Sequence, residues 1–551
     1  MDSSPSLSSI RLSRSELAVF VSGVVSMGLE ILAGRMIAPE FGSSIYTWGS
    51  LIGVFLAALS LGYHRGGKRA ATHASTSRLV GLFLLSALYV AGLILFGDLL
   101  LQATAGLPLP SRFASIPGTV LLFGPPTYLL GYVSPYAAEL SGQSDVGAAS
   151  GHVYAVGTVG SIVGAFATTF LLIPTMSTSQ IGLLFGLLSV GTAVALAVPN
   201  VDRDQVFWSL GITLVLLVAG ATGGVGLDIG GDVVYDTQTA YQELRVVDSG
   251  GTRTLYLDGQ PHSAMDKSDP TRHVFEYTSY FHAPYLFTDE GRDIDRVLFV
   301  GGGGFTGPRV FLDTYPNVTV DVVELDPEVV RVAKEYFAVE ESERLTIHTM
   351  GGRQYLQQTD ETYDLIVLDA YKKDKVPFQL TTVEFMQLAD ERLDDDGILF
   401  ANVISAPSGP ASQFYRAEYK TMQQVFPQVY SFPTAGGVVV QNIEVVATKQ
   451  DTLVTREELQ ARNRQRDVGI DLSAQLTSYR NDEPTDDVPV LRDDRAPVDS
   501  LLDPMVGQRY VVVQSNESAT GGRTNATSAT NIVGEGLETH SAVPASESRS
   551  V

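Results

Sequence analysis

The sequence predicts two unlike halves: an N-terminal α-helical transmembrane bundle, then a soluble part made of a small β domain and an α/β nucleotide-binding domain. Three observations carry this. Seven apolar stretches, each close to the ~20 residues a membrane helix needs, succeed one another before residue 227. The net charge of −24 falls entirely on the second half: residues 1–226 hold nine acidic and nine basic side chains, whereas 227–551 hold 52 and 28. From residue 295 onward, apolar strands alternate with helical patterns behind a run of four glycines. One uniform globular domain is thereby excluded. An acidic soluble part repels phosphate, so no nucleic-acid partner is expected. The chain has no cysteine, which removes disulfides, thiolate metal sites and cysteine nucleophiles.

The apolar stretches are 17–37, 45–63, 79–101, 116–138, 151–173, 179–198 and 206–226. A cleaved signal peptide accounts for the first at most. Arg11 and Arg14 precede the first stretch, and Arg65, Lys68, Arg69 and Arg78 separate the second from the third. That bias places the N-terminus and the second-to-third loop in the cytoplasm. Pro125-Pro126 at the centre of the fourth stretch predicts a broken or re-entrant segment. Six crossings would then return the soluble part to the cytoplasm, making this a multi-pass membrane protein with a cytoplasmic domain. Two charges fall inside the first stretch. Arg35 lies near its end and can snorkel, and Glu30 calls for a buried polar contact, structural or for transport.

In the soluble part, Val233–Tyr235, Leu244–Val247 and Thr254–Leu257 read as strands separated by Asp248-Ser249-Gly250-Gly251 and Asp258-Gly259 turns. The aromatic-rich 270–287 reads as a linking helix. Strands come next at Val297–Val300, Thr319–Val323, Leu345–His348, Leu365–Leu368 and Gly397–Val403. Helices are expected after the glycines, at Pro327–Phe337 behind the Asp326-Pro327 cap, and at Thr381–Leu393. This alternation argues for a parallel sheet covered on both faces. The expected division is an N-terminal segment (1–15), the transmembrane domain (16–226), the small β domain with its linking helix (227–290), the nucleotide-binding domain (291–450), a C-terminal extension (451–513) and a disordered tail (514–551). The tail is rich in Ser, Thr, Gly and Ala and carries sequons at Asn516 and Asn525. Crowded Asp and Glu with only eight lysines predict a surface suited to high salt.

The chemistry is expected at Gly301-Gly302-Gly303-Gly304-Phe305-Thr306-Gly307, which succeeds a strand and opens a helix. Glycines let the backbone approach a ligand, and the helix N-terminus adds free N–H groups. Glu324, at the end of the next strand, is placed to accept both hydroxyls of a ribose. NAD and S-adenosyl compounds both fit this spacing. Asp369 ends a further strand, at the edge where such sheets bind ligands, and Asp374 comes next in the loop. Two carboxylates there suit a cationic substrate or a proton leaving an amine. The plainer readings are a helix cap for Asp369 and a solvated loop charge for Asp374. His262, His273 and His282 fit no metal-ligand spacing, and no metal is expected.

Taken together, Tyr241-Gln242, Leu257-Asp258-Gly259, Val297–Gly303, Val323-Glu324-Leu325-Asp326, Tyr363–Asp369 and Pro377, in this order, resemble the spermidine synthases. They resemble more closely the membrane-fused, spermidine-synthase-like proteins of the polyamine aminopropyltransferase family, whose fused form also shows a segment like Asp493-Asp494-Arg495-Ala496-Pro497-Val498. The resemblance covers about 230–450. It implies a small β domain on a Rossmann-like fold of the class I methyltransferase type. It also implies aminopropyl transfer from decarboxylated S-adenosylmethionine to a small amine, with release of methylthioadenosine. By match, Glu324 holds the ribose, and Gln242, Gly301, Gly302, Gly303 and Gly351 line the nucleoside site. Asp369 and Asp374 act at the amine, and Tyr241, His262, Glu276 and Tyr371 border the substrate. The chain departs from the family in five places, one being the paired aspartates of the catalytic loop, which become Asp369 and, after an offset, Asp374. Gly304 stands where an acid grips the aminopropyl ammonium, and Gly351 where an acid meets adenine. His262 replaces a glutamine, and Val274-Phe275-Glu276 replaces Tyr-His-Glu. Two alternatives stay open: a methyltransferase-like enzyme using S-adenosylmethionine, and a transporter or sensor whose nucleoside domain does not catalyse. A lipid bilayer and a second copy of the chain, in a homodimer, are the expected partners.

Overall fold

The computed structural model describes residues 13–515 except 43, 106, 108, 142–145, 200–201, 223–230, 290–292 and 374. Asp374, both sequons and most of the expected tail lie outside the described residues.

The first half is helical: α1 (Arg14–Phe41), α2 (Ile45–His73), α3 (Thr76–Ala105), α4 (Ser111–Gly131) running on into α5 (Val133–Leu140), α6 (Val146–Ala167), α7 (Thr178–Ala197) and α8 (Arg203–Thr222). Ser13 and Glu16 form a capping box that starts α1, and Ser177 and Gln180 form one that starts α7. Glycines set the packing of α1 on α6. A Cβ at Gly160 would overlap the Phe20 carbonyl oxygen, and one at Gly23 would lie 2.9 Å from the Ser161 nitrogen. Small residues that let backbones meet are how membrane helices associate where burial of apolar surface gives no net drive.

Seven helical segments among the described residues are long and apolar enough to cross a membrane. The fourth, Arg112–Leu140, is one of them. Pro117, Pro125 and Pro126 sit inside α4 without breaking it. The expected interruption is therefore absent, and the count by length and composition is seven rather than six. Arg65, Lys68 and Arg69 lie in the last turns of α2 and Arg78 in the first turn of α3, so the expected basic loop is helical apart from residues 74–75; it lies at the far end of α2 from Ile45, a helix about 43 Å long at ~1.5 Å per residue. Arg35 does not snorkel away from the protein. It donates to Gln238 Oε1 (3.1 Å) and to the Thr239 carbonyl (2.5 Å), tying α1 to the soluble part.

The soluble part opens with an antiparallel meander, β1 (Asp232–Gln238), β2 (Glu243–Ser249), β3 (Thr252–Leu257) and β4 (Gln260–Asp266). The fourth strand is not among those expected from the sequence; Pro261 has no backbone N–H to give to a ladder. Residues 276–286 form 3₁₀ turns rather than an α-helix. Then come β5 (Arg296–Val300), α9 (Thr306–Thr314), β6 (Thr319–Glu324), α10 (Pro327–Tyr336), β7 (Leu345–Thr349), α11 (Gly352–Gln358), β8 (Tyr363–Leu368), α12 (Val383–Arg392), β9 (Leu393–Ser405), α13 (Gln413–Met422), β10 (Gln428–Pro433) and β11 (Gln441–Thr448). They build a seven-stranded sheet in the order β10-β11-β9-β8-β5-β6-β7.

The five strands expected from the sequence pair in parallel, while β11 and β10 extend the β9 edge antiparallel. The sheet is thus mixed, a correction to the all-parallel expectation. Alternate residues feed two cores: Leu298, Val300, Ile366 and Leu368 one, and Val297, Phe299, Leu365 and Val367 the other. Both faces are covered, as near-continuous apolar strands require. The meander packs Leu244, Val246, Leu255 and Leu257 on Val329, Val332 and Phe337, and Ser263 of β4 meets the glycine run that follows β5.

Candidate active site

A cavity of about 780 Å³ opens at the carboxyl ends of β5, β6 and β8. Gly301, Gly303, Glu324, Gly351 and Asp369 line it, with Tyr241, Gln242, His262 and Tyr371. Most of the residues singled out in the sequence are thus brought to one place by the parallel register, which ends β5, β6 and β8 at the same edge.

The glycine run is shaped by close approach. Gly301 has φ +100°, and a Cβ there would lie 2.7 Å from the Asp369 carbonyl carbon. Its N–H donates to the Val323 carbonyl (2.9 Å), and Asp369 N–H donates to that of Val300 (2.9 Å). Glu324 faces the glycines. Its Oε2 accepts from Gly302 N–H (2.8 Å) and its Oε1 from Asp326 N–H (2.9 Å). Burial pushes the Glu324 carboxyl up, against these backbone donors. Gly302 is thereby fixed by Glu324, although its own atoms do not line the cavity.

Asp369 accepts from Asn402 Nδ2 (2.8 Å), and burial raises its pKa to about 6, with the Glu324 charge adding to the rise. Asn402 Oδ1 accepts from Asn442 Nδ2 (2.8 Å), and Asn442 Oδ1 accepts from the Tyr510 hydroxyl (2.8 Å). A hydrogen-bonded chain therefore runs from the C-terminal extension to the carboxylate. Sequence reasoning misses all three of its supporting residues. Asn402 and Asn442 are polar residues inside apolar strands, a signal visible in the sequence, but only strand register shows that they meet.

The departures have physical reasons. Gly304 N–H donates to Ser263 Oγ (2.8 Å), and a Cβ at 304 would lie 2.7 Å from Ser263 Cβ. Ser263 on β4 thus fills the space a side chain at 304 would need. At Gly351 the nearest atom to an added Cβ is Gln354 Cβ at 4.0 Å, so that position has room. His262 lines the cavity, its pKa brought down to about 3 by burial and by Lys372. Gln242 Nε2 reaches Asp326 Oδ2 at 3.4 Å. The Tyr371 hydroxyl lies 2.9 Å from Glu418 Oε1 and 3.0 Å from the Leu380 carbonyl, which holds the ring against the cavity wall. Glu276 stands apart: it accepts from Gln475 Nε2 (2.5 Å) and is not among the cavity residues. His273 and His282 bond each other through Nε2 (3.1 Å), and His282 Nδ1 bonds the Tyr315 hydroxyl (2.6 Å). Burial lowers both, to about 4 and about 3, so this pair is neutral at pH 7.

Glu444 is a further residue that the sequence does not flag. It is fully buried on β11, neither carboxylate oxygen has a hydrogen-bond partner among the described residues, and burial lifts its pKa well above the ordinary 4.5. The folded chain then keeps a proton that the unfolded chain releases above about pH 4.5, so stability falls as pH rises beyond that value. Glu444→Gln is expected to be more stable than wild type at pH 8, by roughly 1–3 kcal/mol. Denaturant unfolding of both proteins at pH 5 and 8 is the check; equal or lower stability of the variant at pH 8 would refute it.

Residues 275–452 match the family model described as the spermine/spermidine synthase domain. Among curated proteins, it is 29% identical over 208 residues to a polyamine aminopropyltransferase of Vibrio vulnificus, covering 36% of this chain and 67% of that one. Polyamine aminopropyltransferase 2 of Ralstonia nicotianae is 24% identical over 425 residues, covering 72% of this chain and 79% of its own. The chain spans about half (49%) of a probable polyamine aminopropyl transferase of Bifidobacterium longum, at 28% identity over 38% of this chain. Among solved structures, a spermidine synthase in complex with the transition-state analogue AdoDATO is 18% identical, with TM-score 0.36, over 46% of this chain and 84% of that one. The matched region begins after the meander, so the family match takes in the glycine run, Glu324 and Asp369 but leaves out Gln242, His262 and Tyr510.

Proposed function

We propose that this protein transfers an aminopropyl group from decarboxylated S-adenosylmethionine to an amine, on a domain anchored by the seven helices in a bilayer. The observation that carries the reading is Glu324 facing the Gly302 N–H in the same cavity as Asp369. A carboxylate beside a glycine-lined turn suits the two ribose hydroxyls of a nucleoside, and the cavity volume lies within the range of small-molecule sites, ~300–1,000 Å³. The likeness to the Vibrio and Ralstonia aminopropyltransferases supports the same chemistry.

Decarboxylated S-adenosylmethionine supplies the electrophile, a propyl carbon next to a sulfonium. The protein's part is to orient the amine and take its proton. An alkylammonium has an unperturbed pKa near ~10.4 and is not a nucleophile until deprotonated. Asp369, with a pKa of about 6, is ionised at pH 7 and able to orient the ammonium and accept that proton. Asn402 holds the carboxylate, and Tyr371 gives the cavity a fixed wall. Alignment of the two reactants supplies much of the acceleration. One observation favours the methyltransferase-like alternative: Ser263 occupies the place at Gly304 from which an acid would hold the aminopropyl ammonium.

Calorimetry with methylthioadenosine, S-adenosylmethionine and its decarboxylated form separates these readings. Tighter binding of the decarboxylated form is expected. Glu324→Gln is expected to weaken methylthioadenosine by about tenfold or more, the loss of a charge-assisted pair of hydrogen bonds. Absence of nucleoside binding to the wild-type chain would defeat both enzyme readings.

The donor is a cytoplasmic nucleoside, so we place the soluble part in the cytoplasm. With seven crossings the basic α2–α3 corner, with the loop of residues 74–75 at its tip, then faces outward, against the usual bias of basic segments. The chain has no cysteine, so a single Thr76→Cys reports on this corner alone. Labelling by a membrane-impermeant maleimide in intact cells is expected. Labelling only after lysis would put the cavity on the outer side and end the proposal.

A further inference from the structure

We infer that the acceptor amine is presented at the bilayer surface, on an amphiphile whose headgroup also carries an anionic phosphate. This rests on aminopropyl transfer at a bilayer, as proposed for the protein, and names the acceptor.

The first observation is where the cavity opens. Asp499 is one of its lining residues, and Asp499 Oδ2 accepts from the backbone N–H of Ile45 (3.2 Å), the first residue of α2. Ser500 Oγ lies 3.4 Å from the Tyr46 hydroxyl. On the other side, Arg35 of α1 holds Gln238 and Thr239, two residues before the cavity-lining Tyr241. The rim of the cavity is therefore bonded to the start of α2, and the chain leading into it is bonded to α1 six residues before that helix ends.

The second observation is that the apolar slab begins at this same point. Ile45 is 70% exposed, Trp48 42%, Ile52 46% and Leu56 60%. Spacings of three and four residues put these side chains on one face of α2. An exposed apolar stripe on a membrane-length helix is a lipid-facing surface. It starts at the residue whose N–H touches the cavity rim, so the hydrocarbon boundary lies at the mouth of the site.

The third observation is charge. Lys372, Lys373 and Lys375 line the cavity, three of the eight lysines in a chain whose soluble part is strongly acidic. Lys372 N–H donates to the Lys375 carbonyl (3.3 Å), three to six residues beyond Asp369. Lys372 pairs with Asp258 (2.7 Å), and Lys373 reaches the Gln508 carbonyl. The lining thus carries four acids, Glu324, Asp326, Asp369 and, at the rim, Asp499, with the lysines as a basic wall beside them. A headgroup with an ammonium and a phosphate a short spacer apart meets both signs.

In the reaction the headgroup nitrogen gives its proton to Asp369, and its lone pair forms the new C–N bond. The C–S bond breaks, and the sulfur keeps that electron pair and leaves as neutral methylthioadenosine. The lipid gains a second ammonium, and one proton is released to solvent from Asp369.

The test uses the full chain reconstituted in phosphatidylcholine nanodiscs, with decarboxylated S-adenosylmethionine as donor. Methylthioadenosine release and the mass of the lipid product are measured with four acceptors: phosphatidylethanolamine in the disc, free phosphoethanolamine, putrescine and spermidine. Release and an aminopropylated lipid are expected with phosphatidylethanolamine, well above discs without it. Lys373→Glu with Lys375→Glu, which leaves the Lys372–Asp258 pair in place, is expected to raise the apparent KM for that lipid roughly tenfold or more. Methylthioadenosine affinity, read by calorimetry, should be retained and also reports that the variant is folded. Transfer to free phosphoethanolamine as efficient as to the lipid would overturn the membrane source. Transfer to putrescine or spermidine with none to the lipid would overturn the inference and leave aminopropyl transfer standing. No release with any acceptor, together with no nucleoside binding, would remove the underlying reading instead.

Discussion

Asp369→Asn is expected to lower turnover by about 10²–10⁴-fold, the range associated with loss of a positioned general base. The amide keeps the shape of the carboxylate and can still accept from Asn402, so nucleoside binding should survive. The wild-type kcat/KM should rise with pH through about 6 as Asp369 ionises, and that limb should vanish in the variant. Stability should move the opposite way. Burial lifts this carboxyl from 3.8 to about 6, so the folded chain is penalised as pH climbs through that window. Linkage puts the penalty at about 3 kcal/mol at pH 7. The variant, having no charge to bury, should unfold at a higher temperature than wild type at pH 7 and show no such gain at pH 4. Unimpaired turnover with a confirmed acceptor would remove Asp369 from the chemistry.

Gly301→Ala is expected to do comparable damage by another route. The residue holds φ +100°, where an L side chain is strained, and its Cβ would overlap the backbone of Asp369. Relief requires parting β5 from β8 where Asp369 N–H meets the Val300 carbonyl. The expected losses are at least about 3 kcal/mol of stability and roughly 100-fold in activity, since Asp369 moves with its backbone. Gly351→Ala is the matched control. Its φ is −73° and no protein atom crowds it, so it should keep wild-type stability. Thermal unfolding and methylthioadenosine calorimetry on the two variants decide the matter. Equal behaviour of the pair would show that the Gly301 contact has no such role.

What could be read from the sequence was local. The five parallel strands, the glycine turn, Glu324 and Asp369 each carry their pattern within a few neighbouring residues, and the parallel register does the rest. The misses are non-local. Neither β10 nor β11 shows the apolar-polar alternation of a half-exposed strand, because both are buried on two faces. Pro261 disguises β4. Ser263, Asn402, Asn442 and Tyr510 come from four separate segments and acquire a role only when the sheet and the extension bring them together. Glu276 holds a place in a family motif, yet its side chain turns to Gln475 instead. Pro125-Pro126 suggests a break that α4 absorbs, as bilayer helices packed against neighbours can.

The link from Tyr510 through Asn442 and Asn402 has a consequence for biosynthesis. The helices leave the ribosome first and the strand bearing Asp369 much later, but the tyrosine that completes its support comes some 140 residues after it. Near the same end, the Val513 carbonyl accepts from Glu276 N–H (2.9 Å) and Tyr510 bridges to Val440, stitching that last stretch over the finished sheet. A growing chain therefore has the strand that carries Asp369 well before it has the tyrosine that completes the hydrogen-bonded support of that carboxylate.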